Sequence, residues 1–255
     1  MPLAALIFDV DGTLAETEEI HRQAFNASFA RAGLGWHWDR DLYAKLLEVT
    51  GGKERIRHYI EAHGGVPALD AATIARLHAD KTAEYTSLVA SGAVALRPGV
   101  LRLLDEAQAA GLTLAIATTT SPPNVDALLR ATMGPDGPAR FAVIAAGDCV
   151  PAKKPAPDIY QFALARLGLP PEACIAFEDT PNGLRAALGA GIATVIITSL
   201  YGGVDGFEGA LAIVDSLGEP DLCSHASRDP LSGSASVTIA QLRVWIRLQG
   251  HTTSM

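Results

Sequence analysis

The sharpest chemical feature of this sequence is a pair of carboxylates two residues apart at the end of an apolar run. Leu6-Ile7-Phe8 leads into Asp9, Val10, Asp11, Gly12 and Thr13. A short unbroken apolar stretch that ends in acid and glycine reads as a buried parallel strand delivering side chains to its carboxyl end, where open α/β sheets bind ligands. Two carboxylates held that close are costly unless a cation joins them, and a divalent metal is the natural partner. The same residues also suit a plain strand-to-turn junction, with the aspartates as turn formers and Gly12 at positive φ.

Three stretches downstream bear on that choice. The run from Leu112 ends in Thr118-Thr119-Thr120, the run from Cys174 ends in Glu178-Asp179, and Lys153-Lys154-Pro155 precedes the helix that leads into the latter. Each has an ordinary explanation alone. Thr118 can be a strand-end hydroxyl, Lys154 an exposed lysine, and Glu178-Asp179 a helix N-cap ahead of Pro181. If the strands are parallel, however, an acid cluster, a hydroxyl and a lysine converge on one edge of a sheet. Coincidence is a poor account of all four in this order.

The elements that must position these groups alternate from Leu96 onward. A helix opens at Pro98 and buries Val100, Leu103, Leu104 and Ala107, Gly111 stops it, and LTLAIATTT follows as a strand. The cycle repeats: helix Asn124 to Met133 and strand FAVIAAG, helix Asp158 to Leu167 and strand CIAFED, helix Asn182 to Leu188 and strand IATVIIT. Strands and helices at this spacing imply a parallel sheet covered on both faces. A last short strand is expected near Leu211 to Val214. Between Glu18 and Ala90, by contrast, only helical periodicity is found, on Phe25-Phe29-Ala32, Leu42-Leu46-Val49, Ile56-Ile60 and Ile74-Leu77-Leu88. Breakers at Gly33-Leu34-Gly35, Gly51-Gly52 and Gly64-Gly65-Val66-Pro67 separate these helices. The stretch from Gly218 to Ser236 reads as a loop, and Ile239, Leu242 and Ile246 mark an amphipathic helix beyond it.

Composition narrows the function classes. With 255 residues, 49% of them hydrophobic, the chain can bury a sizeable core. A formal charge of -8 argues against a nucleic-acid binder, whose footprint would be basic. No apolar run approaches a membrane span, residues 1–15 lack the plan of a secretory signal, and neither membrane nor nucleic acid is expected as a partner. Cys149, Cys174 and Cys223 are odd in number and without C-x-x-C spacing, so a reducing compartment is expected. The seven histidines form no metal-binding motif.

Taken together, DVDGT, a strand ending in a hydroxyl, KKPAPDIY and FEDTPNGLRAA resemble the haloacid-dehalogenase superfamily of phosphatases and phosphomutases, in the family order and from about Leu3 to Leu217. TGGKERI, at Thr50 to Ile56, with DVDGTLAETEEIH before it, resembles the CbbY subgroup, the xylulose-1,5-bisphosphate phosphatases found beside Calvin-cycle enzymes. The resemblance implies an α/β fold: a Rossmann-like core over residues 1–16 and 95–255 with a parallel sheet, and an inserted helical C1-type cap over 17–94. It implies Mg²⁺ between Asp9, the backbone carbonyl of Asp11 and Asp179, with Glu178 holding the metal shell. Asp9 would attack phosphorus, Asp11 would act as acid and then base, and Thr118 and Lys154 would hold the phosphoryl oxygens. Nearby carboxylates are expected to keep Asp11 protonated more easily than a free aspartate.

A bisphosphate needs a cationic grip on its distal end. Thr50-Gly51-Gly52-Lys53-Glu54-Arg55 offers backbone N–H groups at a helix start plus two cations, against the plainer reading of a solvated helix start whose charges balance. This is no P-loop, since Glu54 follows Lys53 and Leu47 stands where the first glycine belongs. Glu16 is a candidate for sugar hydroxyls or for Asp11, Thr17 for the hinge, and His21, Lys81, Thr119 and Asn124 for further substrate contacts. The expected partner is a small sugar bisphosphate, and the expected state a cytoplasmic monomer, or one in the plastid stroma if the source is a plant or alga. Two rivals share some of the motifs. A β-phosphoglucomutase-like enzyme shares core and cap, and a receiver-like phosphoacceptor module gathers similar residues in about half the length.

Overall fold

Six parallel strands form one sheet, and their order puts the acidic strand at its centre. The computed structural model describes residues 2–63, 69–203, 205–218 and 236–252. The strands are β1 (Ala5–Phe8), β2 (Thr113–Thr118), β3 (Val143–Ala146), β4 (Cys174–Glu178), β5 (Ala193–Ile197) and β6 (Ala212–Val214). They run β3-β2-β1-β4-β5-β6 across the sheet. The chain therefore winds outward from β1 on one side, returns, and winds outward on the other. Ligands of such sheets bind outside the carboxyl ends where the winding reverses, here between β1 and its neighbours.

Register does the rest. Phe8 pairs with Ile116 of β2 and Phe177 of β4, so Asp9 emerges beside Glu178 and close to Thr118. The Phe8 and Phe177 rings stack at 4.6 Å, and the Asp9 amide donates to the Phe177 carbonyl at 2.9 Å. The strands are almost continuous apolar runs because both sheet faces are buried. On one face Leu6, Phe8, Ile116 and Val195 pack against Leu103 and Leu104 of α5 (Val100–Ala109) and Leu128 of α6 (Pro122–Met133). On the other, Ile7, Ala115 and Ala176 pack against Ile159, Tyr160 and Ala163 of α7 (Asp158–Leu167) and Ala186 of α8 (Pro181–Gly189). Both α6 and α8 begin on a proline, slightly ahead of the starts expected at Asn124 and Asn182, because proline suits the first helical turn.

Between β1 and α5 the chain makes four helices, α1 (Glu18–Arg31), α2 (Arg40–Leu46), α3 (Gly52–Ala62) and α4 (Ala71–Ala90). Asp39 caps α2 and Asp70 caps α4, accepting from the amides of Leu42 and Thr73 at 2.8 and 2.7 Å, a contact worth about 1 kcal/mol each. Their shared core is aromatic: Phe25, Phe29, Trp36, Trp38, Tyr43 and Tyr59. Tyr201, from the loop after β5, joins that cluster edge-on to Tyr43 at 5.8 Å. The chain re-enters the core at Arg97, whose guanidinium is bound by the carbonyls of Gly12, Thr198 and Asp215.

The helix α9 (Ile239–Thr252) lays Ile239, Leu242 and Trp245 on the sheet-side core. Most of the loop expected from Gly218 to Ser236, the breaker at Gly64 to Pro67, and Cys223 lie outside the described residues. Among the described residues no helix is long and apolar enough to cross a membrane.

Candidate active site

At the carboxyl edge of the sheet a lysine ties two carboxylates together. The Lys154 ammonium, 5% exposed, donates to Asp9 Oδ1 and to Glu178 Oε1, each at 2.6 Å. Tyr160 also donates to Glu178 Oε1, and its ring lies 5.4 Å from the ammonium. Ser199 donates to Asp179 Oδ2 at 2.6 Å. Asp9, Glu178 and Asp179 are all buried, and each offers an oxygen within 4.8 Å of the others.

One ammonium does not balance three such acids. Burial pushes Asp9 up to about 7 against the pull of Lys154, with Glu178 and Asp11 adding to the push. Asp179 is raised well above the carboxylate range by burial and then by Asp9. Hard oxygen ligands crowded in this way, short of positive charge, are the donor set a divalent cation takes. The backbone leaves room for these carboxylates: a Cβ on Gly12, at φ +80°, would sit 2.0 Å from Asp179 Oδ2, and one on Gly183 1.8 Å from Glu178 Oε2.

Asp11 is held differently. Burial opposes its charge, yet His21 beside it, the hydroxyl of Thr17 and Lys81 behind them hold its carboxyl below the usual range. Thr17 donates to Asp11 Oδ1 at 2.5 Å and His21 Nε2 lies 3.0 Å from the same oxygen. Lys81 Nζ lies 2.6 Å from His21 Nδ1. An ammonium can only donate, so Nδ1 accepts and Nε2 carries the ring proton toward Asp11. The expectation that neighbouring carboxylates keep Asp11 protonated is therefore corrected. Donors from α1 and α4 outweigh them.

These groups face a cavity of about 710 Å³. From the sheet edge Asp9, Asp11, Thr118, Thr119, Lys154, Glu178 and Asp179 line it; from the helical insert come Glu18, Thr50 and Arg55, among others. Arg55 is 8% exposed, donates to the Leu46 carbonyl at 3.1 Å and the Tyr43 hydroxyl at 3.3 Å, and has no carboxylate in ion-pair range among the described residues. Tyr43 in turn donates to Glu18 at 2.7 Å.

Several expected contacts are placed elsewhere. Lys53 does not line the cavity, because it pairs with Asp148, in the loop after β3, at 2.5 Å. Gly51 and Gly52 turn with it toward a neighbouring cavity of about 60 Å³. Glu16 pairs with Arg97 at 3.3 Å instead of reaching Asp11 or the cavity. Asn124 is buried in the first turn of α6, donating to Thr120 at 3.3 Å. Thr17, His21 and Lys81 stand behind Asp11. Sequence reasoning missed Tyr160, Ser199, Glu18, Asn182 and Arg185. Ser199, two residues past β5, was open to the strand-end argument that found Glu178; the others carried no such signal.

The sequence matches the haloacid dehalogenase-like hydrolase family model over residues 3–191. It is 49% identical to the plasmid-borne protein CbbY of Cupriavidus necator over 248 residues, 95% of this chain and 96% of that one. A mutant CbbY from Rhodobacter sphaeroides, solved in complex with xylulose-(1,5)bisphosphate, is 51% identical and superposes with a TM-score of 0.81 over 84% of this chain and 94% of that one. β-Phosphoglucomutase from Clostridium difficile shares the fold, with a TM-score of 0.75 at 19% identity over 98% of this chain and 99% of that one.

Proposed function

This chain belongs to the haloacid dehalogenase-like hydrolases, as a phosphatase, and on that premise we propose that it hydrolyses xylulose 1,5-bisphosphate to xylulose 5-phosphate with Mg²⁺ through an aspartyl-phosphate on Asp9. The observation that carries the reading is the pairing of two features in one cavity. An acid cluster short of positive charge lies at the sheet edge, and a buried arginine without a carboxylate partner enters from the helical insert. A buried guanidinium without a counter-ion is costly, and an anionic ligand is the partner it lacks.

Asp9 and Asp179, with the Asp11 carbonyl, would hold the metal, and Glu178 would support it. When bound, Mg²⁺ supplies the charge that offsets carboxylate–phosphate repulsion, about 4 kcal/mol at ~4 Å in an effective dielectric of ~20. Lys154 fixes Asp9 through Oδ1, which leaves Oδ2 to attack phosphorus as the bond to the sugar oxygen breaks. The leaving oxygen takes its proton from Asp11. Asp11 is depressed in this state, so it must gain that proton as the substrate arrives; a phosphate dianion next to it favours protonation. Asp11 then accepts a proton from water, which attacks phosphorus and frees Asp9. Lys154 and Thr118 hold the equatorial oxygens as charge builds on them.

In this reading residues 17–94 are a cap closed over the core. Among the contacts that seat it, Tyr201 donates to Glu19 at 2.9 Å, Asn182 donates to the Glu48 carbonyl and the Thr50 hydroxyl at 3.1 and 3.2 Å, and Lys53 pairs with Asp148. Closure removes water from the phosphoenzyme's surroundings until product leaves.

The test is phosphate release with Mg²⁺ across a panel of sugar mono- and bisphosphates. Xylulose 1,5-bisphosphate is expected to give the highest kcat/KM. Conversion of β-glucose 1-phosphate to glucose 6-phosphate without phosphate release would overturn the reading in favour of a mutase.

A further inference from the structure

We infer that Arg185, on the core helix α8, is a second anchor for the non-reacting phosphate of a bisphosphate, engaged from the core side when the cap is seated. This rests on the bisphosphate reading above and extends it to a residue of the opposite domain.

The cavity is lined by three cations, and two are largely committed. Lys154 is bound by Asp9 and Glu178. Arg55 spends its Nε on the Leu46 carbonyl and its Nη1 on the Tyr43 hydroxyl. A phosphate dianion carries up to two charges and three acceptor oxygens, more than the remaining edge of one guanidinium can satisfy. Several carboxylates also line the cavity, which raises the need for positive charge. Arg185 is the remaining lining cation. Among the described residues no carboxylate lies within ion-pair range of it, and its side chain donates to Asn182 Oδ1.

Asn182 is what makes this more than a surface arginine. Its Nδ2 donates to the Glu48 carbonyl and to Thr50 Oγ1, both on the cap. Those two acceptors fix which end of the amide faces the cap, and its oxygen is thereby turned to Arg185. Seating the cap thus orients the guanidinium at the cavity wall. A ligand phosphate between Arg55 and Arg185 would join cap to core by charge-assisted bonds in addition to the protein contacts already there. A monophosphate has nothing to offer that bridge.

The test uses Arg185→Gln and Arg185→Lys in the full chain, with Asn182→Ala as a third variant and thermal melts as a folding control. Steady-state phosphate release is measured with xylulose 1,5-bisphosphate and with p-nitrophenyl phosphate. Arg185→Gln is expected to lower kcat/KM for the bisphosphate at least ~10-fold more than for p-nitrophenyl phosphate, mainly through KM. Arg185→Lys should recover part of that gap and Asn182→Ala should show a smaller one. Equal losses on both substrates, or none on either, overturn the inference and leave the substrate reading in place. If the wild-type enzyme itself shows no preference for bisphosphates over matching monophosphates, the substrate reading fails and takes the inference with it.

Discussion

The sheet edge and the helical insert contribute to the same cavity, yet they differ in how tightly the chain fixes their side chains. At the sheet edge Asp9 follows β1 directly, and Thr118 and Glu178 end β2 and β4, the buried strands whose register with β1 is set by hydrogen bonds and packing on both faces. A one-residue slip would turn a buried apolar row into the opposite face, so Asp9, Glu178 and Thr118 have little freedom. In the insert the side chains stand on helices, and where they point depends on how the aromatic cluster packs and how the insert seats on the core. Lys53 and Arg55 show the consequence. Two residues apart on α3, they diverge, one to Asp148 and the other into the cavity. On the proposed function, chemistry would fall to the fixed edge and substrate choice to the helical insert.

If that division is right, edge substitutions should act on turnover with every substrate. Asp9→Asn is expected to cost about 10⁴-fold or more in kcat while the melt is retained, since an amide cannot attack phosphorus. Retained turnover above a small fraction would remove Asp9 as nucleophile. Lys154→Ala follows at about 10²- to 10³-fold in kcat, because an ammonium held between Asp9 and Glu178 matters most as charge develops. An effect confined to KM would move it to ground-state binding.

An insert substitution should instead act on discrimination. Arg55→Ala is expected to lower kcat/KM for xylulose 1,5-bisphosphate by about 10- to 100-fold, with a smaller loss on p-nitrophenyl phosphate. Equal losses on the two would blur the line between edge and lid.

The same contrast explains what the sequence could convey. The parallel sheet, its order of helices and strands, and the convergence of Asp9, Thr118, Lys154 and Glu178-Asp179 follow from local patterns plus the rule that parallel strands share an edge. The four helices of the insert were legible from their periodicity. Their docking was not, because 3.6-residue periodicity says which face is apolar and nothing about which neighbour it meets. Lys53 was misplaced for that reason, pairing with Asp148 95 positions away; Glu16 and Asn124 belong to the core, where Glu16 pairs with Arg97 and Asn124 with Thr120 just ahead of α6, contacts that no local pattern announces. The Asp11 environment was misjudged similarly: Lys81 is 60 residues from His21, and no spacing rule joins them.

The edge also predicts how metal and pH interact. Asp9 is raised to about 7 and Asp179 is raised as well, so between the ordinary carboxylate range and pH 7 the folded protein binds more protons than the unfolded one. Stability from this source falls as pH rises. His78 runs the other way: burial and then Lys81 lower it to about 4, which adds stability as pH rises toward its ordinary value. The raw slope therefore mixes both, and the gain from Mg²⁺ separates them. A cation on Asp9 and Asp179 displaces their protons, so Mg²⁺ should raise Tm by a few degrees more at pH 7.5 than at pH 5.5. An equal gain at both would place the metal elsewhere.

The smallest effect expected is at Lys53, and it probes the boundary between the two regions. Its partner Asp148 is 62% exposed at the side chain and is shared with Lys153 at 2.6 Å, so removing Lys53 leaves the carboxylate with a second cation. An exposed, already neutralised pair contributes at most about 1 kcal/mol and is screened by salt. Lys53→Ala should accordingly shift the melt only slightly. It should leave the bisphosphate-to-monophosphate preference near that of the wild type and raise KM modestly for both substrates, because a seat of the cap is weakened and not a ligand contact. That KM difference from wild type should shrink as salt is added. A loss on the bisphosphate as large as that of Arg55→Ala would mean that Lys53 leaves Asp148 for the substrate during the catalytic cycle, and the lid would then carry two cations at the distal phosphate.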